Sequence, residues 1–250
     1  MNGLMSISVC AKKNDLCLTN IGVTSILKVE FCESEHNHEE IVAMRYHRIP
    51  DETVRRLPVY LRGAIHLSQQ GVENVSSSEL ATMLGVNAWQ IRKDFSYFGD
   101  FGTPGVGYEL KILIKHINKI LRLNTGHKAA LVGVGNLGSA LLSFPGFSAY
   151  GFNIAATFDI DKRKIGRRKN GILIEDVSRL RNLRRRGIYL GIIAVPARAS
   201  QEIAEMLVKA GVRGILNFSP RYIAVPKRVK VITIDIAMDL ARLPYYMPSS

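Results

Sequence analysis

The sequence predicts an α/β protein: an N-terminal winged helix-turn-helix domain followed by a doubly wound parallel sheet. Three observations predict it. A helix–glycine–helix unit occupies residues 77–97, a glycine-rich turn at 133–138 joins a buried strand to a helix, and strand-length apolar runs then alternate with helical ones to residue 234. A length of 250 residues suits two modest domains.

In the first half, Val54, Leu57, Leu61, Ala64, Ile65 and Leu67 recur at helical spacing after Asp51, the expected cap. Pro58 is expected to kink this helix and Gln70-Gly71 to end it. Ser76-Ser77-Ser78-Glu79 reads as a capping box opening a short helix that carries Leu80, Ala81 and Leu84. Gly85 stops it, and Asn87, with Gln90 at the third position, caps a second helix from Ala88 to about Tyr97. Two steeply crossing helices need a small residue at the crossing, a left-handed turn residue and an apolar anchor. Ala81, Gly85 and Ile91 supply them, although an ordinary helical hairpin shares part of the pattern. The glycine-rich stretch 99–108 fits a β-hairpin wing shaped by Gly105 and Gly107. The second helix exposes Gln90, Arg92 and Lys93, residue types that read base edges and phosphates in a major groove. Trp89, the only tryptophan, is assigned to the core. A helix over 109–123 closes the domain, and Asn124-Thr125-Gly126 links it onward.

In the second half, a strand over 128–134 runs into Gly133-Val134-Gly135-Asn136-Leu137-Gly138, and a helix follows. A lone Gly-x-Gly-x-x-Gly is weak evidence, but strand before and helix after are what a Rossmann dinucleotide site requires. The first glycine makes the tight turn, the second admits a pyrophosphate, and the third lets helix pack on strand. The helix amino end offers unpaired amides to the phosphates. The next strand, 152–158, ends in Asp159, 21 residues after Gly138, where a carboxylate accepts from the adenosine ribose hydroxyls and repels a 2′-phosphate. That favours NAD over NADP. Six of the eight residues 162–169 are basic, and they read as a solvated surface run. Further strands are expected at 190–195, 214–218 and 229–234, with a helix over 199–210. Ligand belongs at the carboxyl ends of such strands, so Ala194, Val195 and Pro196 are candidate cofactor contacts.

The catalytic inventory is thin. Hydride transfer needs a proton donor or acceptor beside the nicotinamide. The expected loop ends offer Pro196, Ala197, Arg198, Asn217, Phe218 and Ser219, and no histidine follows His127. Arg198 is read as a surface residue and Ser219 as a turn cap before Pro220. A cofactor site without acid–base chemistry reads as a sensor. An NAD-dependent oxidoreductase with a fused helical domain, and a structural protein stabilised by its nucleotide, are the competing readings.

Composition narrows the class. Hydrophobic residues make up 47% of the chain, which excludes a disordered protein, and no apolar stretch reaches the roughly 20 residues of a membrane span. Residues 1–9 lack the basic region and apolar core of a secretory signal. Net charge is +13, which suggests a polyanion partner. It is unevenly spread: −3 over residues 1–43, +3 over 48–125 and +12 over 126–250. The charge therefore does not mark the DNA-reading surface; the helix-turn-helix spacing does. Cys10, Cys17 and Cys32 all precede Met44, without disulfide or metal-ligand spacing, so a reducing cytoplasm and no metal are expected. His36 and His38 near Cys32 read as solvated tail. The extension 1–47 is expected to be disordered, and Met44 is a second candidate start.

These strings together resemble the Rex family of redox-sensing transcriptional repressors. The resemblance covers residues 49–246. Its most specific parts are 77–80 (Ser-Ser-Glu-Leu), 90–99 (Gln-Ile-Arg-Lys-Asp-Phe-Ser-Tyr-Phe-Gly), 102–108, 133–138 and 211–218. It implies a homodimer with winged-helix domains at 48–125, Rossmann domains at 126–234 and a C-terminal segment, 235–250, whose helix at about 236–243 swaps into the partner. It further implies binding to palindromic double-stranded operator DNA in the apo or NAD+ form and release by NADH. By the same resemblance Arg92 and Lys93 contact the groove, Ser76, Ser77 and Tyr97 contact phosphates, and Gly105 and Gly107 form a minor-groove wing; helix capping alone for the two serines, and a mobile wing tip without base contacts, are the competing readings. Arg62 and Asp235 match positions of a redox-dependent contact between subunits. Phe144 falls beside the cofactor where the family has a tyrosine whose hydroxyl joins that switch, a departure that bears on NAD+/NADH discrimination.

Overall fold

The computed structural model describes residues 49–247 apart from Asp100. The expectations for the 1–47 extension, with its cysteines and His36 and His38, lie outside these residues. Helix α1 (Asp51–Gln69) runs unbroken through Pro58. Its N-cap is Pro50, not Asp51, so Asp51 opens the first turn, where a negative charge complements the helix dipole. The two-residue strand β1 (Asn74–Val75) leads into α2 (Ser77–Leu84) and α3 (Ala88–Ser96). Both halves of the Ser76/Glu79 capping box form, and Gly85 adopts the left-handed conformation at φ 66°. Ala81 and Ile91 are buried as the spacing requires.

Strand β2 (Tyr108–Glu109) pairs antiparallel with β1, and α4 (Leu110–Ile120) follows directly. The wing is shorter than the expected hairpin: among the described residues of 99–107 a single antiparallel bridge joins Thr103 to Gly107. Gly107, at φ +98°, lies so close to β1 that a Cβ there would sit 2.5 Å from the Val75 carbonyl oxygen. Leu57, Tyr60, Leu61, Leu80, Ile91, Phe95 and Leu113 form the core of this half. A second close approach escaped the sequence reading. Gly63 lets α2 lie against α1, and a Cβ there would press on Met83, Leu84 and Leu80.

The second half is a seven-stranded sheet: β3 (His127–Val132), β4 (Phe152–Asp159), β5 (Arg168–Lys169), β6 (Ile172–Asp176), β7 (Leu190–Ile193), β8 (Gly214–Asn217) and β9 (Lys230–Thr233). Their spatial order is β5-β6-β4-β3-β7-β8-β9, parallel throughout except for the β5–β6 hairpin. The chain winds outward from β3 in both directions, which opens a crevice at the carboxyl end of β3 where the order reverses. The sequence reading missed β5 and β6, because the short Ile172–Ile174 run lies just after the basic stretch. Helices α5 (Asn136–Leu142), α6 (Gly146–Ala149) and α7 (Ala197–Lys209) cover the sheet. Buried Ala130, Val132, Ala156, Phe158, Ile193 and Leu207 fill the space beneath. The chain ends in α8 (Ile236–Leu240) and a 3-10 turn, Leu243–Tyr246. Among the described residues no helix is long and apolar enough to cross a membrane.

Candidate functional site

Helix α3 is held by one buried carboxylate. Asp94 is fully buried and accepts hydrogen bonds from Thr53 Oγ1 (3.0 Å), Arg56 Nε (2.6 Å) and Nη2 (2.9 Å), Tyr60 Oη (2.6 Å) and Gln90 Nε2 (2.9 Å). Burial opposes its charge, but these donors outweigh it and hold the carboxyl below its usual range. Burial and Asp94 push the Tyr60 hydroxyl up, so both groups keep their protonation states at neutral pH. The sequence reading did not single out Asp94. Its signal is an acid on the apolar face of α3, three residues after Ile91.

The network fixes what α3 presents. Gln90, expected on the exposed face, is half-buried and commits one of its two amide hydrogens to Asp94. Trp89, assigned to the core, is instead 56% exposed, with Lys93 Nζ 4.7 Å from its ring centroid. The physical reason is the register of α3: Ile91, Asp94 and Phe95 face inward and leave position 89 outside. Arg92 Nη1 donates to Ser77 Oγ at 2.8 Å, which ties the two helices on their outer side. Ser76, Ser77, Arg92, Ser96, Thr103 and Gly105 line one groove between α3 and the wing. Lys93 and Tyr97 do not line it.

The glycine turn after β3 follows the three roles closely. Gly133 has φ +95°, and a Cβ there would sit 2.5 Å from the Ala194 carbonyl oxygen. A Cβ on Gly138 would overlap the Gly133 carbonyl oxygen. Gly135 faces open space, with nothing within 4 Å of a Cβ, which is the room a phosphate needs to reach the backbone. No side chain caps the amino end of α5.

Asp159 serves the turn itself. Its Oδ2 accepts the Val134 amide at 2.8 Å and Lys164 Nζ at 3.0 Å, and its Oδ1 accepts the Asp161 amide at 2.9 Å. Burial would raise its pKa, but the two amides and Lys164 hold it low. The carboxylate is only 7% exposed, and its Oδ1, with a single donor, keeps a free lone pair. Asp161, two residues on, is held at about pKa 2 by hydrogen bonds from Arg163.

Ala194 and Val195 lie half-buried beside the turn, and exposed Pro196 is the N-cap of α7. Leu137 and Phe144 are 41% and 56% exposed, and Phe144 stands edge-on to Phe147. Ser219 lies just past the carboxyl end of β8, buried, with no hydrogen-bond partner for its hydroxyl among the described residues. The open Gly135, the uncapped α5 and this orphan hydroxyl on the same edge fit an adenine dinucleotide. Arg62 is exposed on α1, and Asp235 caps α8 by accepting the Met238 amide at 3.1 Å. No ion pair joins them within the described residues of one chain.

Comparison with known proteins matches both halves. Residues 48–96 fit the family model "Putative DNA-binding protein N-terminus", and residues 124–221 fit "CoA binding domain". The redox-sensing transcriptional repressor Rex of Carboxydothermus hydrogenoformans is 44% identical over 203 residues, covering 81% of this chain and 98% of that protein. The Rex of Streptomyces griseus is 42% identical, covering 82% and 81%. The crystal structure of RSP with β-NAD+ and operator DNA superimposes with a TM-score of 0.75 at 34% identity, covering 79% of this chain and 92% of that one. RSP with β-NADH gives 0.73 at 32% identity, covering 80% and 94%. The chain belongs to the Rex family of redox-sensing transcriptional repressors.

Proposed function

We propose that the chain is a homodimeric, NADH-responsive repressor: it holds palindromic operator DNA in its apo or NAD+ form and releases it when NADH binds. One observation carries this reading. A single chain joins an α3 whose outward cations are fixed by a buried carboxylate to a glycine turn with an open phosphate approach. RSP, which aligns with 79–80% of this chain, crystallised with operator DNA and NAD+, and again with NADH.

The residue roles are those the resemblance implies, set on the geometry described above. Arg92, Lys93 and the groove beside the wing meet the duplex, while Ser76, Ser77 and Tyr97 supply further donors to phosphates. Gly105, at φ +79° and with open space where a Cβ would sit, allows the wing tip to approach the minor groove. The 133–138 turn holds the pyrophosphate, with Asp159 as its brace and Ala194, Val195, Pro196 and Phe144 around the nicotinamide half. Oxidised nicotinamide carries a positive charge and reduced nicotinamide does not. An apolar wall such as Phe144 therefore favours the reduced ring by avoiding the desolvation of a charge. If the dimer arrangement that covers this wall cannot hold DNA, NADH shifts the population by its differential affinity alone.

The dimer accounts for the C-terminal surface. Ile236, Met238 and Leu240 are 63–68% exposed, and Tyr245 and Tyr246 are 86% and 70% exposed. A segment this apolar needs a partner, and a swapped helix supplies one. Arg62 and Asp235 then meet across subunits. Domain limits at 125/126 and 234/235 and the cytoplasm as the site of action belong to the same reading. No histidine follows His127, which favours a sensor over hydride transfer.

The test uses linkage. NADH, NAD+ and coenzyme A are titrated against the free protein and the operator complex, reading cofactor binding by calorimetry. NADH is expected to bind the complex more weakly than the free protein, by the same factor that it weakens DNA binding. Equal NADH affinity for both forms overturns the reading, and preference for coenzyme A overturns the cofactor assignment.

A further inference from the structure

Eight of the twenty lysines and arginines of residues 126–250 lie on the edge of the sheet away from the glycine turn. In a parallel sheet the turn at 133–138 lies at the carboxyl ends of the strands. The segments that enter β7, β8 and β9 lie at the amino ends. Those segments, 184–189, 209–213 and 227–230, carry eight lysines and arginines and no acidic residue. Seven of the eight are exposed.

The three segments are stitched into one surface. The Arg213 amide donates to the Tyr189 carbonyl at 2.8 Å, and the Lys230 amide to the Arg213 carbonyl at 2.9 Å. The carbon stem of Arg184 lies 3.6 Å from the position of a Cβ on Gly211. Three strands in register place these cations across about 10 Å, two inter-strand spacings. Arg186 is used internally, with Nη1 2.6 Å from Glu175, and Lys230 pairs with Asp51. Arg184, Arg185 and Arg213 have no ion pair among the described residues.

The edge adjoins α1, which packs on the inward face of α3. Lys230 Nζ lies 2.8 Å from both carboxylate oxygens of Asp51, in the first turn of α1. Two residues on, a rise of about 3 Å, Thr53 donates to Asp94 of α3. The first two turns of α1 therefore touch the basic edge on one side and the recognition helix on the other. A cofactor on the opposite edge has no use for these cations.

We propose that this edge, centred on Arg184, Arg185 and Arg213, grips the phosphates of duplex DNA flanking the operator, independently of sequence. The proposal rests on the operator-binding reading and adds a second contact surface to it.

The experiment compares the full chain with the triple variant Arg184→Gln, Arg185→Gln, Arg213→Gln. Two duplexes are used, one limited to the operator and one with about 15 base pairs added on each side. Each phosphate neutralised contributes about 0.9 to the salt slope. On the long duplex the variant is expected to show a slope shallower by about 2–3 and at least tenfold weaker binding at low salt. On the short duplex it should bind within twofold of the parent. NADH affinity, unchanged, reports an intact fold. No loss on the long duplex, or equal loss on both, overturns the proposal. So does a loss confined to single-stranded RNA or anionic vesicles. Should the parent fail on the operator itself, the functional reading fails instead. The same comparison on a long random duplex then decides this one, with undiminished binding overturning it.

Discussion

The Asp159 carboxylate accepts the Val134 amide at 2.8 Å, so the end of β4 fixes the middle of the glycine turn after β3. The acid at this position is a brace, with Lys164 offsetting its buried charge. Asp159→Ala leaves the Val134 amide without its acceptor and removes the partner of Lys164. A lost buried hydrogen bond of this kind costs about 1–3 kcal/mol. NADH affinity is expected to fall about 5- to 150-fold, with no gain in NADPH binding. A variant that instead accepts NADPH as well as NADH would restore the ribose-acceptor role. Calorimetry with both cofactors measures it.

Gly135 and Gly138 separate binding from folding. At Gly135 φ is −82° and the surroundings are open, so Gly135→Ala should melt within a few degrees of the parent while losing most of its NADH binding. Gly138→Ala drives a Cβ into the Gly133 carbonyl and should destabilise by about 1–3 kcal/mol. Thermal melts with and without NADH distinguish the two.

Asp94 makes the winged-helix half sensitive to acid. Its folded pKa is lowered, so the stability it contributes is complete above its unfolded value near about 3.9 and is lost as pH falls through the folded value. Asp94→Asn should flatten that acid limb. It should also cost about 3 kcal/mol at neutral pH, at the low end for a broken buried pair because Arg56 is 30% exposed. Urea unfolding as a function of pH gives both numbers.

On the DNA side, Arg92→Ala and Lys93→Ala should each weaken operator binding by about 1–3 kcal/mol, roughly 5- to 150-fold, and leave NADH affinity unchanged. Gln90→Ala is expected to act through stability, since its amide serves Asp94. Fluorescence anisotropy on a labelled operator, beside a thermal melt, separates these effects.

Phe144→Tyr restores the hydroxyl that the resemblance places in the redox switch. The ratio of NAD+ to NADH dissociation constants should widen by about 0.5–1.5 kcal/mol, the worth of one hydrogen bond. An unchanged ratio would mean that the hydroxyl has no role in this chain.

Much of this was legible in the sequence because local rules and tertiary structure agree. Ser76, Gly85, Gly133 and Gly138 each answer a backbone demand written within a few residues of themselves. What was not legible shares one cause. The exposure of Trp89 and the internal partners of Gln90 and Asp159 depend on residues 4 to 25 positions away or on the register of α3. Asp94 and Gly63 were missed for the same reason. A buried acid and a close helix crossing are meaningful only once α1 is laid against α2 and α3. Strand β6 was lost because its apolar run is short and lies beside a stretch of cations.

The central claim is tested most directly by titrating the full chain into a labelled palindromic operator at fixed salt, alone, with NAD+ and with NADH. The account predicts tight binding in the first two and release in the third, at NADH concentrations that saturate the free protein. Operator binding that NADH leaves unchanged would contradict it.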